Sequence, residues 1–487
     1  MILYISGHKF HYEFENICRL FFPSESIRVV YETDFSDPIV LFTRLDGNHF
    51  FAYIKTESYY KETQLDDFSE NTQRSEQALA RVLFKLLSDY TGFSPEWGII
   101  TGVRPVKFLR LVLDEVSSMD EAREFFINEL LVSKQKTELA VETIEREESI
   151  LKRSTPKSYS LYISIPFCPT RCDYCSFVSQ SIEKSHKLID EYVPLLIKEL
   201  KVIAGNVKQF PLTLETIYMG GGTPTTLSPV QLELILKTVF DEFDTTNLQE
   251  FTVEAGRPDT VTREKLDVIH SFGIERISIN PQTFNDSILE NIGRKHTSEQ
   301  TCKAYELARD IGFDNINMDL IAGLPGDSPE SFAKTIRQTT ELNPESITLH
   351  TLALKRSSNL VTDKRAEYRA VDRDLNKMHT IAFESFIQND YSPYYLYRQS
   401  RTVGNLENTG WCKNGFEGLY NVYIIDETHT ILAAGAGGIS KLKAPDGPKI
   451  ERIFNFKLPL EYIKNFDEML DRKNRIGSFY DAYYKKI

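Results

Sequence analysis

The chain has 487 residues, enough for roughly two to four domains of ordinary size. Hydrophobic residues make up 41% and charged residues 26%, so the composition is that of a folded protein and excludes wholesale disorder. The net charge of −13 argues against a nucleic-acid-binding surface, and no apolar run reaches the roughly 18 residues of a membrane span. Six cysteines are too few for a disulfide scaffold, and no secretory signal begins the chain, so we expect a cytoplasmic protein.

Residues 1–155 form a first region of mixed pattern. An apolar repeat at three-and-four spacing predicts a helix over Ser75–Tyr90, and a polar stretch at 152–158 is typical of a linker. β-Branched and aromatic runs predict short strands at Met1–Ser6, Ser26–Tyr31, Ile39–Thr43 and Asn48–Ile54. The region is therefore predicted to be α+β, and the pattern assigns it no role.

Strands and helices alternate over residues 156–359. Ser-Pro pairs at 228–229 and 328–329 predict helix starts, and a further helix is expected from Ser298, as its N-cap, to Gly312. Six strands with crossovers predict a parallel sheet, a partial (β/α)6 barrel whose chemistry lies at the C-terminal strand ends. The predicted strands are Leu161–Ile165, Thr216–Met219, Glu250–Glu254, Arg276–Ile279, Asn315–Ile321 and Ser346–His350.

The alternation stops at about residue 360. Lys364–Asn389 has a helical pattern, Pro393–Gln399 has a strand pattern, and a Gly-rich segment follows at 433–438. We interpret residues 360–487 as a separate C-terminal region that covers the barrel mouth.

Cys168, Cys172 and Cys175 follow the first barrel strand with C-x3-C-x2-C spacing. A zinc site is the simpler interpretation, but structural zinc usually takes four ligands and a fourth is not obvious. The alternative is a [4Fe–4S] cluster with three protein ligands and one iron open to an exogenous ligand. The spacing favours the cluster. Three protein ligands and one open iron are also what a cluster needs in order to bind and cleave S-adenosylmethionine.

Polar and glycine-rich motifs follow the next strands. Gly220-Gly-Gly-Thr-Pro-Thr225 lacks the Lys-Ser/Thr of a phosphate-binding P-loop, and beside the cysteines it is typical of a seat for a small ligand. Glu254 is predicted to face the barrel lumen, where a carboxylate accepts from ribose hydroxyls. Asp319 lies in a very apolar strand and needs a partner, for which Arg294 is the candidate; Gln282 follows the fourth strand. Taken alone, Gln282, Arg294 and Asp319 are each better explained by structure than by function, but as a set on successive strand ends they favour function.

Together these motifs resemble the radical S-adenosylmethionine family, and specifically the oxygen-independent coproporphyrinogen III oxidases and their relatives. The resemblance covers about residues 155–440, and the segment from Trp97 to Pro105 is similar to the longer, HemZ-type branch. It rests on Tyr162-x-x-Ile-Pro-Phe-Cys168, Gly220–Thr225, Gln282-Thr-Phe284, Gly293-Arg-x-His296 and Asp319–Gly326.

The resemblance implies two cofactors, a [4Fe–4S] cluster and S-adenosylmethionine, and a role for each matching residue. Cys168, Cys172 and Cys175 would hold the cluster, and Tyr174 would pack on the adenine. Gly221 and Gly222 would seat the methionine part. The remaining cofactor-binding residues would be Tyr162, Thr223, Glu254, Gln282, Arg294 and Asp319.

The implied activity is oxidative decarboxylation of coproporphyrinogen III to protoporphyrinogen IX in haem biosynthesis by a 5′-deoxyadenosyl radical. The partners would be a porphyrinogen substrate and a flavodoxin- or ferredoxin-like one-electron donor. Because the substrate carries four carboxylates, its pocket needs fixed cations. We expect them to be Lys355, Arg356, Arg398 and Arg401, although an aromatic core strand with a solvated end explains the last two equally well.

Three departures from the family pattern keep other functions open. Ser164 and Phe177 stand where characterised oxidases carry a His and a further Cys, and Glu407 stands where the haem-chaperone branch carries a His. The alternatives are a haem-binding chaperone on the same fold and another radical enzyme that acts on a tetrapyrrole.

Overall fold

The computed structural model describes residues 1–23, 25–31, 37–66, 72–175, 180–353, 372–399 and 402–484. The chain divides into two compact units. Unit 1 comprises Met1–Ile144 and Leu396–Glu407, and unit 2 comprises Glu145–Tyr395 and Asn408–Ile487. Within the described residues no helix is both long enough and apolar enough to cross a membrane.

Unit 1 is built on a five-stranded sheet in the order β2-β1-β3-β4-β5. β1 pairs in parallel with β2 and β3, and β3, β4 and β5 form an antiparallel meander. The elements in chain order are β1 (Ile2–Ser6), α1 (His11–Phe21), β2 (Arg28–Val30), β3 (Val40–Asp46), β4 (His49–Lys55), β5 (Tyr60–Leu65), α2 (Thr72–Thr91), α3 (Pro105–Leu113), α4 (Met119–Glu124), a π-helical turn at Phe125–Glu129 and α5 (Lys134–Leu151).

The core of unit 1 lies between one face of the sheet and its helices. Strand residues such as Leu3, Leu41 and Phe50 alternate inward and are fully buried with Phe14 of α1 and Leu83 of α2. The four predicted strands are present. β5 was not predicted, because its sequence YKETQL is too polar to stand out as a strand.

Unit 2 contains an eleven-stranded sheet in the order β14-β15-β13-β12-β11-β10-β9-β6-β16-β17-β18. The elements that continue the chain are β6 (Ser158–Ile165), β7 (Phe167–Cys168), β8 (Gln180–Ser181), α6 (Ile182–Val207), β9 (Thr213–Gly221), α7 (Pro229–Glu242), β10 (Glu250–Glu254), α8 (Arg263–Ser271), β11 (Arg276–Ser278), α9 (Asp286–Asn291), α10 (Ser298–Ile311), β12 (Asn315–Ala322), α11 (Pro329–Leu342), β13 (Ser346–Thr351), α12 (Asp372–Gln388), β14 (Ser392–Arg398), β15 (Glu407–Cys412), α13 (Leu419–Asp426), β16 (Thr430–Ala434), β17 (Ile439–Lys443), β18 (Ile450–Phe454), α14 (Pro459–Lys464) and α15 (Phe466–Tyr484).

The six predicted barrel strands are β6, β9, β10, β11, β12 and β13, which neighbour one another in chain order and pair in parallel. The partial (β/α)6 barrel is therefore confirmed. The sheet also continues past both ends, because β16 pairs in parallel with β6 and β15 pairs antiparallel with β13. These additional strands come from the C-terminal segment, and residues 408–487 belong to the same compact unit as the barrel.

The crossover helices begin and end with the expected chemistry, with one correction. Ser228 and Ser328 cap α7 and α11, each followed by Pro at the first helical position. The N-cap of α10 is Thr297 and not Ser298: Thr297 and Gln300 form a reciprocal capping box, which satisfies two backbone donors at once. α10 ends at Gly312 in the left-handed conformation, as predicted.

A buried ion pair ties the C-terminal helix α15 to α6. Glu199 and Lys473 are both fully buried, and their charged atoms lie 3.1 Å apart. Glu199 also accepts hydrogen bonds from the Gly435 backbone N–H, Asn455 and Tyr462, and Lys473 donates to Asn455 and to the Ala433 carbonyl. The network is fully satisfied, which is the condition under which buried charges are tolerated.

We predict that Lys473→Met strongly destabilises unit 2, because it leaves the Glu199 carboxylate buried without its cation. Breaking such a pair costs about 3–5 kcal/mol of unfolding free energy, to be measured by urea denaturation followed by circular dichroism. The matched control is Lys303→Met in α10, whose ion pair with Glu299 is exposed and whose loss should leave the unfolding midpoint unchanged. Equal midpoints for the two variants would contradict the role of the network.

Candidate functional site

The C-terminal ends of the six parallel barrel strands lie at one edge of the sheet. The cysteine loop follows β6, the Gly-rich loop follows β9, Glu254 ends β10, and Gln282 follows β11. Asp319 lies within β12 and pairs in register with Thr348 of β13. The predicted cofactor residues are therefore drawn from neighbouring strands at the same end of the barrel, the end at which such folds place their chemistry.

The cysteine loop is attached to the loop that follows α9. The Asp173 backbone N–H donates to the Ile292 carbonyl at 3.0 Å, and the Thr170 hydroxyl donates to the Gly293 carbonyl at 3.0 Å. Cys172 is buried and Cys168 and Cys175 are partly buried. These contacts hold the cysteine loop in place, so the positions of the thiols depend on residues more than 100 positions away in sequence.

The three thiols bear on two metal interpretations, zinc and an iron–sulfur cluster. A structural zinc requires four ligands around a single ion, and among the described residues no three Cys, His, Asp or Glu side chains are grouped closely enough to hold one metal ion. In an iron–sulfur cluster each thiolate binds a different iron. Three thiols on one loop supply the type of ligand that such a cluster takes.

The Gly-rich loop packs its backbone directly on the segment that leads to Cys168. The Gly222 N–H donates to the Ile165 carbonyl at 2.8 Å, and the Thr223 N–H donates to the Phe167 carbonyl at 2.7 Å. A Cβ on Gly222 would lie 2.5 Å from the Phe167 carbonyl oxygen, so only glycine permits this approach. The Thr223 hydroxyl lies 3.5 Å from the Cys168 sulfur. Gly222 thus couples the two loops.

The carboxylate of Glu254 lies in the space that a side chain at position 220 would otherwise fill, because residue 220 is a glycine. The Tyr218 hydroxyl donates to this carboxylate at 2.6 Å, and a Cβ on Gly220 would lie 2.8 Å from the carboxylate carbon. Removal from water and the nearby Asp319 charge together raise the pKa of Glu254 to about 7, against the opposing effects of Tyr218 and His350. A carboxylate whose pKa is near neutral at a strand end is typical of a functional site.

Asp319 has a different partner from the one predicted. Its carboxylate lies 3.7 Å from the His350 ring and accepts from the Asn317 amide at 2.8 Å, and no ion pair with Arg294 occurs among the described residues. Burial opposes ionisation of Asp319, but His350 and Asn317 outweigh it, so the pKa lies below its usual value. His350 was missed, although it stands near the end of β13 as the other site residues do on their strands.

Arg294 instead contacts the cysteine loop. Its guanidinium donates to the Asn280 carbonyl at 2.6 Å. Burial alone lowers the pKa of Arg294, but Tyr174 and Cys172 beside it raise the pKa by more. Because the guanidinium lies at the cysteine loop and not at β12, the expected pair with Asp319 does not form.

Gln282 is held in an uncommon backbone conformation with an unsatisfied side chain. Its φ is 65°, in the left-handed region, and its main chain bonds to Asp319 and Ile321 of β12. Its side-chain oxygen is buried and has no hydrogen-bond partner among the described residues. Both strain and an unpaired buried acceptor are expected where a ligand completes the site. The S-adenosylmethionine role implied for Gln282 therefore fits its surroundings.

Three tyrosines form a stack beside Glu254. Tyr218 and Tyr420 have ring centroids 4.8 Å apart, and Tyr162 lies 6.3 Å from each of them. Tyr162 and Tyr218 are paired in register on β6 and β9, whereas Tyr420 comes from α13. Tyr420 was missed, since no motif marks it and it reaches the site only through the tertiary fold.

Arg398 is the last residue of β14 and belongs to unit 1. It is buried, and its guanidinium donates to the carbonyls of Ile100 and Gly102. Burial lowers the pKa of Arg398 to about 10. The predicted contact of Arg398 with substrate carboxylates stays a prediction. Lys355, Arg356 and Arg401 lie outside the described residues, as does Phe177, so their roles stay predictions.

Comparison with known proteins gives one family. The model of the Radical SAM superfamily matches residues 162–339. The oxygen-independent coproporphyrinogen-III oxidase-like protein HemZ of Bacillus subtilis (strain 168) is 38% identical over 411 residues, which cover 83% of this chain and 81% of that protein. Heme chaperone HemW of Lactococcus lactis subsp. lactis (strain IL1403) is 33% identical, over 58% of this chain and 70% of that protein.

The oxygen-independent coproporphyrinogen III oxidase of Escherichia coli (strain K12) is 31% identical, over 46% of this chain and 47% of that protein. A solved structure of coproporphyrinogen III oxidase (HemN) from Escherichia coli has a TM-score of 0.53 at 23% identity, covering 66% of this chain and 72% of that one. That likeness supports the barrel architecture. The radical SAM superfamily uses a [4Fe–4S] cluster and S-adenosylmethionine. The extent of the match to HemZ shows that this chain belongs to the radical SAM superfamily, among the oxygen-independent coproporphyrinogen III oxidase-like proteins.

Proposed function

We propose that this chain catalyses the oxygen-independent oxidative decarboxylation of coproporphyrinogen III to protoporphyrinogen IX. The observation that carries the proposal is the set of polar side chains at the strand ends, where the cysteine loop, the Gly-rich loop and Glu254 lie on neighbouring strands β6, β9 and β10. The relatives named coproporphyrinogen III oxidase and oxidase-like protein support the choice of substrate.

In this proposal Cys168, Cys172 and Cys175 hold the [4Fe–4S] cluster, and S-adenosylmethionine, when bound there, supplies the radical that removes a hydrogen from a propionate side chain. Glu254, positioned by Tyr218, accepts hydrogen bonds from the ribose or the methionine end. The buried oxygen of Gln282 accepts from the same cofactor, which satisfies the group that otherwise has no partner.

The remaining residues position the cofactors and enclose the reacting centre. Arg294 packs against Tyr174 and Cys172 of the cysteine loop, and Tyr174 covers the adenine. Gly221 and Gly222 bring backbone close to the methionine part, with Thr223 beside Cys168. Tyr162 forms an apolar wall with its two stacked neighbours, Tyr218 and Tyr420, and keeps water from the reacting centre. A flavodoxin- or ferredoxin-like protein supplies the single electron.

A haem-binding chaperone is the second candidate, because HemW proteins are matched over a larger share of their length than the oxidases. One contact within unit 1 argues against it. Glu407, at the position where the chaperone branch carries a His, is buried with both oxygens engaged by Lys136 at 2.6 Å and the Trp97 ring N–H at 2.7 Å. A carboxylate neutralised in this way is a poor substitute for a haem ligand.

We predict that the anaerobically reconstituted protein, given coproporphyrinogen III, S-adenosylmethionine and reductant, releases two molecules of CO2 per porphyrinogen and forms 5′-deoxyadenosine. Mass spectrometry of the product and the nucleoside measures both. The Cys168→Ala/Cys172→Ala/Cys175→Ala variant should lose its iron and all turnover. The control, Cys302→Ala, changes a cysteine far from the loop in sequence and should keep both. Tight haem binding without CO2 release would select the chaperone.

We predict that the affinity for S-adenosylmethionine weakens as the pH falls below about 7, the pKa of Glu254. Since the raised pKa leaves Glu254 protonated below that value, binding to the ionised form requires loss of a proton, which weakens affinity by up to about tenfold per pH unit. Anaerobic calorimetry between pH 6 and 8.5 measures the profile.

The Glu254→Gln variant provides the control for this profile. It should bind more weakly at pH 8, by about one to two orders of magnitude, because a buried hydrogen-bonding partner is lost. Its affinity should be independent of pH over the same range. A wild-type profile that is flat, or a sloping profile in Glu254→Gln, would assign the titration to another group.

A further inference from the structure

Arg257 is a buried arginine that the function above does not use. It follows β10 by three residues, and its side chain is only 3% exposed. Asp259 accepts two hydrogen bonds from it, from Nε and Nη2, each at 3.0 Å. A bidentate pair of this kind fixes the plane of the guanidinium. The third nitrogen, Nη1, is therefore aimed in one direction.

Nη1 points at the cysteine loop. It donates to the Thr170 hydroxyl at 3.1 Å and lies 3.4 Å from the Thr170 carbonyl oxygen. It also lies 3.9 Å from the Cys172 sulfur, and this contact is buried. Arg257 thus holds the loop at Thr170 and presents positive charge to the thiol at Cys172.

The two charged groups of the Arg257–Asp259 pair differ in their exposure to water. The Asp259 side chain is 20% exposed, whereas that of Arg257 is 3% exposed. Water therefore screens the carboxylate more than the guanidinium, and the carboxylate binds the two nitrogens that do not contact sulfur. Arg257 therefore adds positive charge at Cys172, a thiol that the guanidinium of Arg294 also contacts.

We infer that Arg257 is a positioning residue that raises the reduction potential of the cluster through its contact with the Cys172 sulfur. The inference rests on the proposed assignment of Cys168, Cys172 and Cys175 to the cluster. Reduction adds one electron, from the external one-electron donor, and makes the cluster more negative. A cation and a hydrogen bond at a ligating sulfur stabilise the reduced form more than the oxidised form.

The test is a redox titration of the reconstituted protein followed by electron paramagnetic resonance of the reduced cluster. Arg257→Met removes the charge and the donors, Arg257→Gln keeps a donor without the charge, and Arg257→Lys keeps the charge without the fork. The control is Arg263→Met, at an exposed arginine of α8. We expect the midpoint potentials of the Met and Gln variants to lie at least about 59 mV below that of wild type. For one electron this corresponds to a tenfold less favourable reduction. The Lys variant should lie close to wild type, and Arg263→Met should be unchanged.

The possible outcomes test the inference and the proposed function separately. An unshifted midpoint in Arg257→Met with full iron content would overturn the inference. If the Met variant fails to retain iron, the Lys and Gln variants decide, since equal midpoints in those two would show that the charge has no effect. A wild-type protein with a normal cluster signal but no decarboxylation would refute the proposed function alone. The absence of any cluster in wild type would refute the cysteine assignment on which both depend.

Discussion

The site depends on one close backbone contact, between the Gly-rich loop after β9 and the segment that joins β6 to Cys168. Two main-chain hydrogen bonds, from Gly222 and Thr223, hold it together. The contact exists because Gly222 has no Cβ; with one, the nearest atom would be a backbone oxygen 2.5 Å away, which cannot move aside. It sets the distance between the loop that carries the thiols and the Gly-rich loop, which we propose contacts S-adenosylmethionine. Preorganisation of this kind places the contacting groups before the ligand arrives.

The charges at the strand ends are arranged around that contact. Two carboxylates lie near each other, and their surroundings move their proton affinities apart: the pKa of Glu254 is raised and that of Asp319 is lowered. His350 stands beside Asp319, whereas the neutral Tyr218 donates to Glu254. Elsewhere in unit 2, the buried Glu199 and Lys473 are fully satisfied. In contrast, the buried side-chain oxygen of Gln282 has no hydrogen-bond partner among the described residues, and we propose that a ligand supplies one.

The sequence predicts this part of the fold well because each barrel strand is a short apolar run bounded by a motif. The predicted and observed strands differ by at most three residues at each end. Of the strands that extend the sheet, β14 matches the strand predicted at Pro393–Gln399. β15, β16, β17 and β18 were not predicted, since they follow no alternation with helices and gain their pairing from the tertiary fold. The cysteine loop, the Gly-rich loop and Glu254 come together as expected.

Individual side-chain contacts were harder to predict. The predicted pairing of Asp319 with Arg294 was wrong. A guanidinium can reach several acceptors, and the fold directs Arg294 to Asn280 and the cysteine loop. Tyr420 and Arg257 could not be found, because no spacing rule links them to the residues that they contact. Arg398 followed an aromatic strand pattern that suits a binding surface and a buried strand equally, and its guanidinium bonds to main-chain carbonyls of unit 1.

We propose that three thiols on one loop hold a cluster with an open iron that S-adenosylmethionine binds directly. The decisive measurement is electron paramagnetic resonance of the anaerobic, dithionite-reduced protein, recorded before and after addition of S-adenosylmethionine. We expect the signal of a reduced [4Fe–4S] cluster whose g-values shift when S-adenosylmethionine is added. A cluster signal that S-adenosylmethionine leaves unchanged, or no cluster signal at full iron loading, would contradict it.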